Sequence, residues 1–332
     1  MKARAAADAR FMRAAIALSL RGRGRTLPNP NVGCIIVRDG VIVGRGWTQP
    51  GGRPHAEAQA LMQADGLTEG TTAYVTLEPC FHLSPRGPRC VELIHRAGIA
   101  RVVIAATDPD PRTNGQSIGW LREVGIDVLT GVMAAEARAA MAGFFSRQML
   151  GRPAVTLKLG LSLDGCIAQA DGTSQWITGP AARAHAHLLR TQHEAILVGR
   201  GTWWADKPRL NVRLPGLEDR SPRRILLGHG STPEGWALID DPARIADLEG
   251  VSSLLVEGGA QTAAAFLAAD LVDSLVLYRA PIIIGGGRQA VGDIGLVSLD
   301  AAPHSAHGRW RLDDRRMLGV DTMEVYARVR AS

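Results

Sequence analysis

The chain has 332 residues, 46% hydrophobic and 21% charged, which is typical of a globular protein and excludes disordered and collagen-like classes. The net charge is +6, but arginine is spread along the chain, and three tyrosines and five phenylalanines leave few rings for base stacking. No apolar run is long enough for a membrane span. We therefore expect a cytoplasmic protein of two domains, without nucleic-acid or membrane partners.

The first half of the chain alternates helices and strands. Two β-branched runs flank Asp39 and Gly40, a dipeptide that suits the type I′ turn of a hairpin. A later strand ends at Glu78-Pro79-Cys80. The predicted elements are helices over 8–20, 55–64, 91–97 and 116–124, and strands over 32–37, 41–43, 74–77, 101–107 and 126–129. This alternation predicts a three-layer α/β sandwich that holds ligands at strand ends and helix starts.

One histidine and two cysteines in this half have the types and spacing of a zinc site. His55 and Glu57 form a His-x-Glu motif, Cys80 follows a proline, and Cys90 comes ten positions later. In zinc nucleobase deaminases such a signature supplies three zinc ligands and a glutamate that moves protons. We therefore predict a catalytic zinc held by His55, Cys80 and Cys90, with Glu57 as the acid/base group.

Two other interpretations of these residues remain open. A closed structural zinc site would need a fourth ligand, for which His82 and Cys34 are the candidates, although neither has a standard spacing. Alternatively, the cysteines are free thiols and the His-x-Glu motif arose by chance. Four scattered cysteines do not make a disulfide framework, so metal binding in a reducing compartment explains two of them better.

The first half resembles the cytidine-deaminase superfamily and, within it, the deaminase half of the bifunctional riboflavin-biosynthesis deaminase/reductases. The stretches that carry the resemblance are Pro28-Asn29-Pro30, Val32-Gly33-Cys34, Pro54-His55-Ala56-Glu57, Thr76-Leu77-Glu78-Pro79-Cys80 and Asp108-Pro109. The chain departs from the family at Thr48, where a histidine is usual, and in a longer loop between the two cysteines. These departures change which side chains are available to the substrate, His82 and Arg86 included.

A helical connector over 134–147 ends at Gly151-Arg152-Pro153, and we place the two domains at 1–148 and 149–332. The second domain again mixes strands and helices. Strands are predicted over 155–161, 195–198, 224–227, 253–256, 274–279 and 323–327, the last as a closing edge strand, and helices over 181–190 and 260–269. A Gly-x-Gly-x-x-Gly fingerprint after the first strand is absent.

Several charged or titratable residues of this half stand out. Lys158 lies in an apolar strand, where a lone ammonium needs a partner, and Asp164 or Glu257 could be that partner. By contrast, three histidines look like ordinary helix-surface residues: His185, His187 and His193. Lys158 is therefore the less ordinary feature.

The second half is similar to the reductase half of the same family, whose fold is similar to dihydrofolate reductase. The motifs that carry the similarity are Lys158-x-x-x-Ser162-Leu163-Asp164-Gly165, Ser174-x-Trp176-Ile177-Thr178, Gly201-Thr202, Asp206-x-Pro208-x-Leu210 and Glu257-Gly258-Gly259. The resemblance implies substrate binding by Lys158, Ser174, Arg190, Leu210, Arg213 and Glu257, with the arginines on a phosphate. It implies binding of NADPH by Gly160, Trp176, Thr202, Asp206, Gly258 and Gly259.

The two resemblances together imply a bifunctional enzyme. A cytidine-deaminase-like α/β/α domain would deaminate 2,5-diamino-6-(5-phosphoribosylamino)pyrimidin-4-one with zinc. A dihydrofolate-reductase-like α/β domain would then reduce the ribosyl group of 5-amino-6-(5-phosphoribosylamino)uracil to ribityl with NADPH. The alternatives are a nucleic-acid base deaminase, a zinc-stabilised binding module, and a chain with only one active half. We also expect a homo-oligomer from the apolar strands of the second half.

Overall fold

The computed structural model describes residues 2–300, 302 and 310–330. The chain divides into two compact units, Met1–Gly151 and Arg152–Ser332, called here the first and second units. Gly151, in a left-handed conformation with φ of 69°, ends the last helix of the first unit. Among the described residues, no helix is long and apolar enough to cross a membrane.

The first unit is a five-stranded sheet covered by helices. Its elements are α1 (Lys2–Ser19), β1 (Gly33–Arg38), β2 (Val41–Trp47), α2 (Ala56–Ala64), β3 (Thr72–Leu77), α3 (Cys90–Arg96), β4 (Arg101–Ala106), α4 (Gln116–Glu123), β5 (Asp127–Thr130), α5 (Ala134–Ala140) and α6 (Ala142–Leu150). The strand order is β2-β1-β3-β4-β5, with β1 antiparallel to both neighbours and β3, β4 and β5 parallel. All helices and strands predicted for 8–129 are present, and Asp39 and Gly40 have the positive φ of a type I′ turn.

Two glycines on β2 bring α2 directly against the sheet. A Cβ atom at Gly46 would lie 2.1 Å from the carbonyl oxygen of Ala56, and one at Gly44 would lie 2.2 Å from that of Ala60. These separations are far below van der Waals contact, so α2 can pack this closely only because neither position carries a side chain. The first turn of α2 is thereby fixed relative to the sheet.

The second unit is built on an eight-stranded sheet. Its elements are β6 (Ala154–Leu161), β7 (Cys166–Ala168), α7 (Pro180–Arg190), β8 (Ala195–Gly199), α8 (Arg200–Asp206), β9 (Arg223–Leu227), β10 (Ala237–Ile239), β11 (Ser253–Val256), α9 (Ala260–Ala268), β12 (Ser274–Arg279), β13 (Arg288–Gln289), β14 (Trp310–Leu318) and β15 (Asp321–Arg328). The strand order is β10-β9-β8-β11-β6-β12-β15-β14. The first six are parallel, so their carboxyl ends share one edge of the sheet.

The structure corrects two expectations for this unit and adds a helix. The predicted edge strand over 323–327 belongs to β15, but β14 pairs along its outer side. Strand β14 is largely exposed and rich in arginine and aspartate, as is common for an edge strand that charges protect. Its sequence therefore has no alternation of apolar and polar residues from which a strand could be predicted. In addition, residues 200–206, for which no element was predicted, form α8. Finally, His193 is not on a helix surface: it is buried, with its ring nitrogens bonded to Leu189 and Thr156.

Candidate active sites

Three side chains with metal-binding atoms converge in the first unit. His55 immediately precedes α2, Cys80 follows β3, and Cys90 is the first residue of α3. His55 Nδ1 lies 3.2 Å from Cys90 Sγ and 3.6 Å from Cys80 Sγ, and the three donor atoms are all within 4.8 Å of one another. One imidazole and two thiols are a donor set that suits zinc. The structure thus brings the three predicted ligands together, and the residues fit a zinc ion.

Neither candidate for a fourth ligand joins this group in the described part of the chain. Cys34 is buried on β1, and His82 Nδ1 lies 3.4 Å from Thr113 Oγ1. Three protein ligands leave a fourth position for water or substrate, which is the arrangement of catalytic rather than structural zinc sites.

Glu57 lies in the first turn of α2, two residues after His55. The residue is 4% exposed, and its carboxyl group is in hydrogen-bonding reach of the Cys90 thiol. Burial raises the pKa of the Glu57 carboxyl. A carboxylate with a raised pKa is a stronger base and accepts a proton more readily, which suits a group that moves protons in general acid/base catalysis.

The surroundings of His55 include contacts that the sequence did not reveal. Asn29 Nδ2 lies 3.0 Å from His55 Nε2 and donates to the carbonyl oxygen of Gly52 at 2.7 Å. The Pro28-Asn29-Pro30 segment is one of the stretches that carry the family resemblance, but the motif alone did not indicate this contact. Thr48, at the position where the family usually has histidine, is buried, and its Oγ1 accepts from the backbone N–H of Val32.

The longer loop between the two cysteines is attached to the loop that precedes His55. Arg86 donates to the carbonyl oxygen of Gly51, and Arg53 donates to that of Pro88 at 3.5 Å. His82 and Arg86 therefore have partners within the protein. These two bonds connect the segments that carry the first and the last of the three metal-binding residues.

The second unit has a cleft of about 1050 Å³ at the carboxyl ends of its parallel strands. All twelve residues predicted for the reductase site line this cleft: Lys158, Gly160, Ser174, Trp176, Arg190, Thr202, Asp206, Leu210, Arg213, Glu257, Gly258 and Gly259. The volume is at the upper end for a ligand site, which leaves room for a cofactor beside a substrate. Seven lysines and arginines but only two carboxylates line the cleft, so its residues fit two phosphorylated ligands such as NADPH and a nucleotide-like substrate.

A buried ionic cluster forms the centre of this cleft. Glu257, just after β11, accepts two bonds from Arg190, at 2.8 and 2.9 Å, and lies 3.5 Å from Lys158 Nζ. Burial opposes ionisation of Glu257, but Lys158 and Arg190 outweigh it and lower its pKa to about 2. Of the two partners considered for Lys158, the structure selects Glu257, because Asp164 instead binds Ser162 and the backbone of the 284–285 segment.

The two arginines expected on the substrate phosphate differ in how they are engaged. Arg190 uses Nε and Nη2 on Glu257 and Nη1 on the carbonyl oxygen of Asn211 at 2.9 Å, so its planar fork is occupied. Arg213 is exposed, and its Nη1 donates to Asn211 Oδ1 at 3.0 Å. Partial desolvation together with the nearby Arg190 and Arg209 lowers the pKa of Arg213. Arg209 also lines the cleft. Arg209 and Arg213 are therefore the cations at this end that can turn toward an anion.

The residues predicted for the cofactor lie around the starts of α8 and α9. Thr202 Oγ1 accepts from the backbone N–H of Gly259 at 3.0 Å, which joins the two glycine-containing turns. The ring of Trp176 is 65% exposed and has the guanidinium of Arg183 at 4.5 Å from its centre. Burial raises the pKa of Asp206, the last residue of α8.

Several cleft residues were not identified from the sequence: Arg183, His187, Arg200, Arg209 and Arg288. A signal did exist for His187, which had been interpreted as an ordinary surface residue. Arg183, His187 and Arg190 follow one another at helical spacings of four and three on α7, and such spacings place side chains on one face of a helix. No local pattern pointed to the other arginines.

Known proteins resemble both units. The chain matches the family models of the cytidine and deoxycytidylate deaminase zinc-binding region over residues 5–106 and of the RibD C-terminal domain over 153–246 and 239–322. It is 40% identical to the riboflavin biosynthesis protein RibD of Escherichia coli, over 95% of this chain and 97% of that protein. The corresponding values for the RibD protein of Aquifex aeolicus are 36%, 88% and 92%.

Solved structures agree with these matches. Acinetobacter baumannii RibD (form 1) is 32% identical, with a TM-score of 0.86 over 98% of this chain and 100% of that chain. A diaminohydroxyphosphoribosylaminopyrimidine deaminase/5-amino-6-(5-phosphoribosylamino)uracil reductase from Thermotoga maritima is 28% identical, with a TM-score of 0.83 over 98% and 99%.

Proposed function

The chain belongs to the RibD family and is a bifunctional deaminase/reductase of riboflavin biosynthesis, and we propose that each unit performs one of the two reactions at the site described above. The predicted fold class, the two activities, and zinc and NADPH as cofactors are confirmed at the level of this family. In our proposal the domains 1–148 and 149–332 carry deamination and reduction respectively. The partners are small phosphorylated pyrimidines, without nucleic acid, and the enzyme is a cytoplasmic homo-oligomer.

One observation carries the assignment of residues. His55, Cys80 and Cys90 meet beside a buried glutamate, while the twelve residues assigned to the reductase line a single cleft. The members of each group are far apart in the sequence, and the fold brings each group together in one place. The nucleic-acid deaminase alternative would leave the second of these groups without a role.

In deamination, the substrate's ring carbon exchanges its amino group for the oxygen of water, and ammonia leaves. His55, Cys80 and Cys90 would hold a zinc ion, which when bound would supply Lewis-acid activation of the attacking water. The carboxylate of Glu57 takes a proton from that water and delivers protons to the ring nitrogen and the leaving amine. Its burial keeps bulk water from competing for those protons.

In reduction, the ribosylamine opens to an imine, whose carbon receives a hydride while its nitrogen gains a proton. NADPH bound in the cleft would supply the hydride. Lys158 Nζ has three N–H donors, of which one faces Glu257 and the others are left for hydroxyl groups of the sugar chain. Glu257 holds the ammonium group of Lys158 in position, Arg190 holds Glu257 in place, and Arg213 together with Arg209 binds the phosphate.

The proposal is tested by incubating the zinc-loaded protein with the diaminopyrimidine ribosylamine phosphate while ammonia and NADPH are followed together. We expect ammonia release first and NADPH oxidation only after it. Oxidation of NADPH solely when deaminated substrate is added would contradict the deaminase assignment, and ammonia release without oxidation would contradict the reductase assignment.

A further inference from the structure

An arginine without an assigned role lies at one end of the reductase cleft. Arg200 follows β8, and its side chain crosses Gly228, which follows β9. A Cβ atom at Gly228 would lie 3.1 Å from Arg200 Nε and 3.3 Å from Arg200 Cβ, and the φ of Gly228 is +142°, a value that side-chain-bearing residues rarely adopt. The absence of a side chain at 228 therefore makes room for the guanidinium.

The guanidinium of Arg200 has unused donors. Nη2 donates to the carbonyl oxygen of Ser231 at 3.0 Å, whereas Nε is buried and has no hydrogen-bond partner. Among the residues that the structure describes, no carboxylate forms a salt bridge with this guanidinium. An arginine has five N–H donors, and Ser231 accepts from one of them, so further donors on the Nη groups remain for a ligand.

The place of Arg200 in the sheet indicates which ligand this is. From Lys158 on β6, the neighbouring strands are β11, which leads to Gly258 and Gly259, then β8, which leads to Arg200, and then β9. With strands about 4.8 Å apart, the β8 and β9 ends lie about 10–14 Å from Lys158. The phosphate of the substrate is assigned to Arg209 and Arg213, which lie near Arg190 and Glu257. The nicotinamide half of NADPH must reach the reacting sugar near Lys158. The adenosine half would therefore lie at the ends of β8 and β9.

We propose that Arg200 binds the 2′-phosphate of NADPH and gives the reductase its preference for NADPH over NADH. This inference rests on the proposed reductase function. The two cofactors differ only in this phosphate on the adenosine ribose. A guanidinium can meet it with two parallel charge-assisted hydrogen bonds, a geometry that no other side chain offers.

Binding of two nucleotide fragments tests the proposal without turnover. We would measure the dissociation constants of 2′,5′-ADP and 5′-ADP by calorimetry for the wild-type enzyme and for Arg200→Gln. Since a hydrogen bond to a charged group contributes about 1.5–3 kcal/mol, the preference for 2′,5′-ADP should fall about 10–100-fold, with 5′-ADP affinity unchanged. Arg200→Lys, which keeps the charge without the fork, should retain part of the preference.

Steady-state kinetics supply the second measurement. In Arg200→Gln, the ratio of kcat/KM for NADPH to that for NADH should fall by the same factor, while KM for the deaminated substrate stays constant. The control is Arg224→Gln, which removes an equal charge on β9 outside the cleft, beside Trp236. It should leave unchanged both the preference for 2′,5′-ADP over 5′-ADP and the ratio of kcat/KM for NADPH to that for NADH.

Each other outcome has a defined meaning. An unchanged nucleotide preference in Arg200→Gln, or an equal loss for both fragments, would refute the role of Arg200. A rise in KM for the phosphorylated substrate alone would move Arg200 to the substrate phosphate and likewise refute it. A wild-type enzyme that binds neither fragment and oxidises no NADPH would overturn the proposed reductase function itself, and this inference with it.

Discussion

Replacement of Gly46 by alanine should disable the deaminase without touching any residue that meets zinc or substrate. Gly46 lies on β2, beneath the first turn of α2. The added methyl group would lie 2.1 Å from the carbonyl oxygen of Ala56, the residue between His55 and Glu57. Both of these side chains must therefore move if α2 moves.

The magnitude follows from the overlap. An ordinary contact would need at least 3.4 Å, so α2 and β2 must separate by about 1 Å, and such overpacking typically costs about 1–3 kcal/mol of stability. A displacement of about 1 Å at a catalytic group can lower activity about 100-fold. We expect a loss of that order in kcat/KM for ammonia release.

The assay compares ammonia release, zinc content and NADPH oxidation with deaminated substrate in Gly46→Ala and in Gly119→Ala. A methyl group at Gly119 on α4 meets nothing within 4 Å, so that variant should keep full deaminase activity. Reduction should be normal in both. Deamination within two-fold of wild type in folded, zinc-loaded Gly46→Ala would refute the view that close packing of α2 sets the catalytic geometry.

Four further outcomes follow. Glu57→Gln should keep zinc but lose deamination about 10²–10⁴-fold, with reduction and the exposed control Glu123→Gln unaffected; intact ammonia release would exclude its assigned role. Arg213→Lys should raise only the reductase KM, and an unchanged KM would count against phosphate binding. Glu257→Gln should destabilise the second unit by about 3–5 kcal/mol, because Lys158 and the nearby guanidinium lose their counter-charge. Because the folded-state pKa of Glu257 is lowered from 4.5 to about 2, this difference in unfolding free energy should be complete above pH 4.5 and shrink as pH falls toward 2; a pH-independent difference in denaturant melts would contradict it. Removal of zinc by a chelator should abolish ammonia release and spare NADPH oxidation with deaminated substrate.

The zinc ligands could be predicted because short sequence motifs are enough to identify them. Few residue types bind zinc, and His55 and Cys80 stand in short motifs whose spacing reflects the start of a helix and the end of a strand. The elements of the first unit were predictable for a similar reason, since strong apolar periodicity accompanies each buried strand. The resemblance to a family then supplied the set of reductase residues, which no spacing alone would have assembled.

What the sequence left undecided depends on contacts between distant segments. The partner of Lys158 was open between two carboxylates, and only the fold brings Glu257 to it. The salt bridge between Arg190 and Glu257 could not be predicted from the sequence either. Arg200 shows no motif because the feature that explains its position, the missing side chain at Gly228, lies on the next strand. The polar edge strand β14 was not predicted because an exposed strand lacks the alternation of apolar and polar residues by which strands are identified.

The three ligand residues also have a topological consequence. His55 and Cys90 are 35 positions apart, so an ion bound to both would act as a cross-link that closes the segment between them, including α2 and β3. By analogy with covalent cross-links, closure of a loop of this length restricts the unfolded chain by about 3–5 kcal/mol. Within that closed segment, the stretch 81–89 is anchored at both ends by cysteines. Its length and composition can therefore diverge between relatives while the metal-binding atoms stay in place.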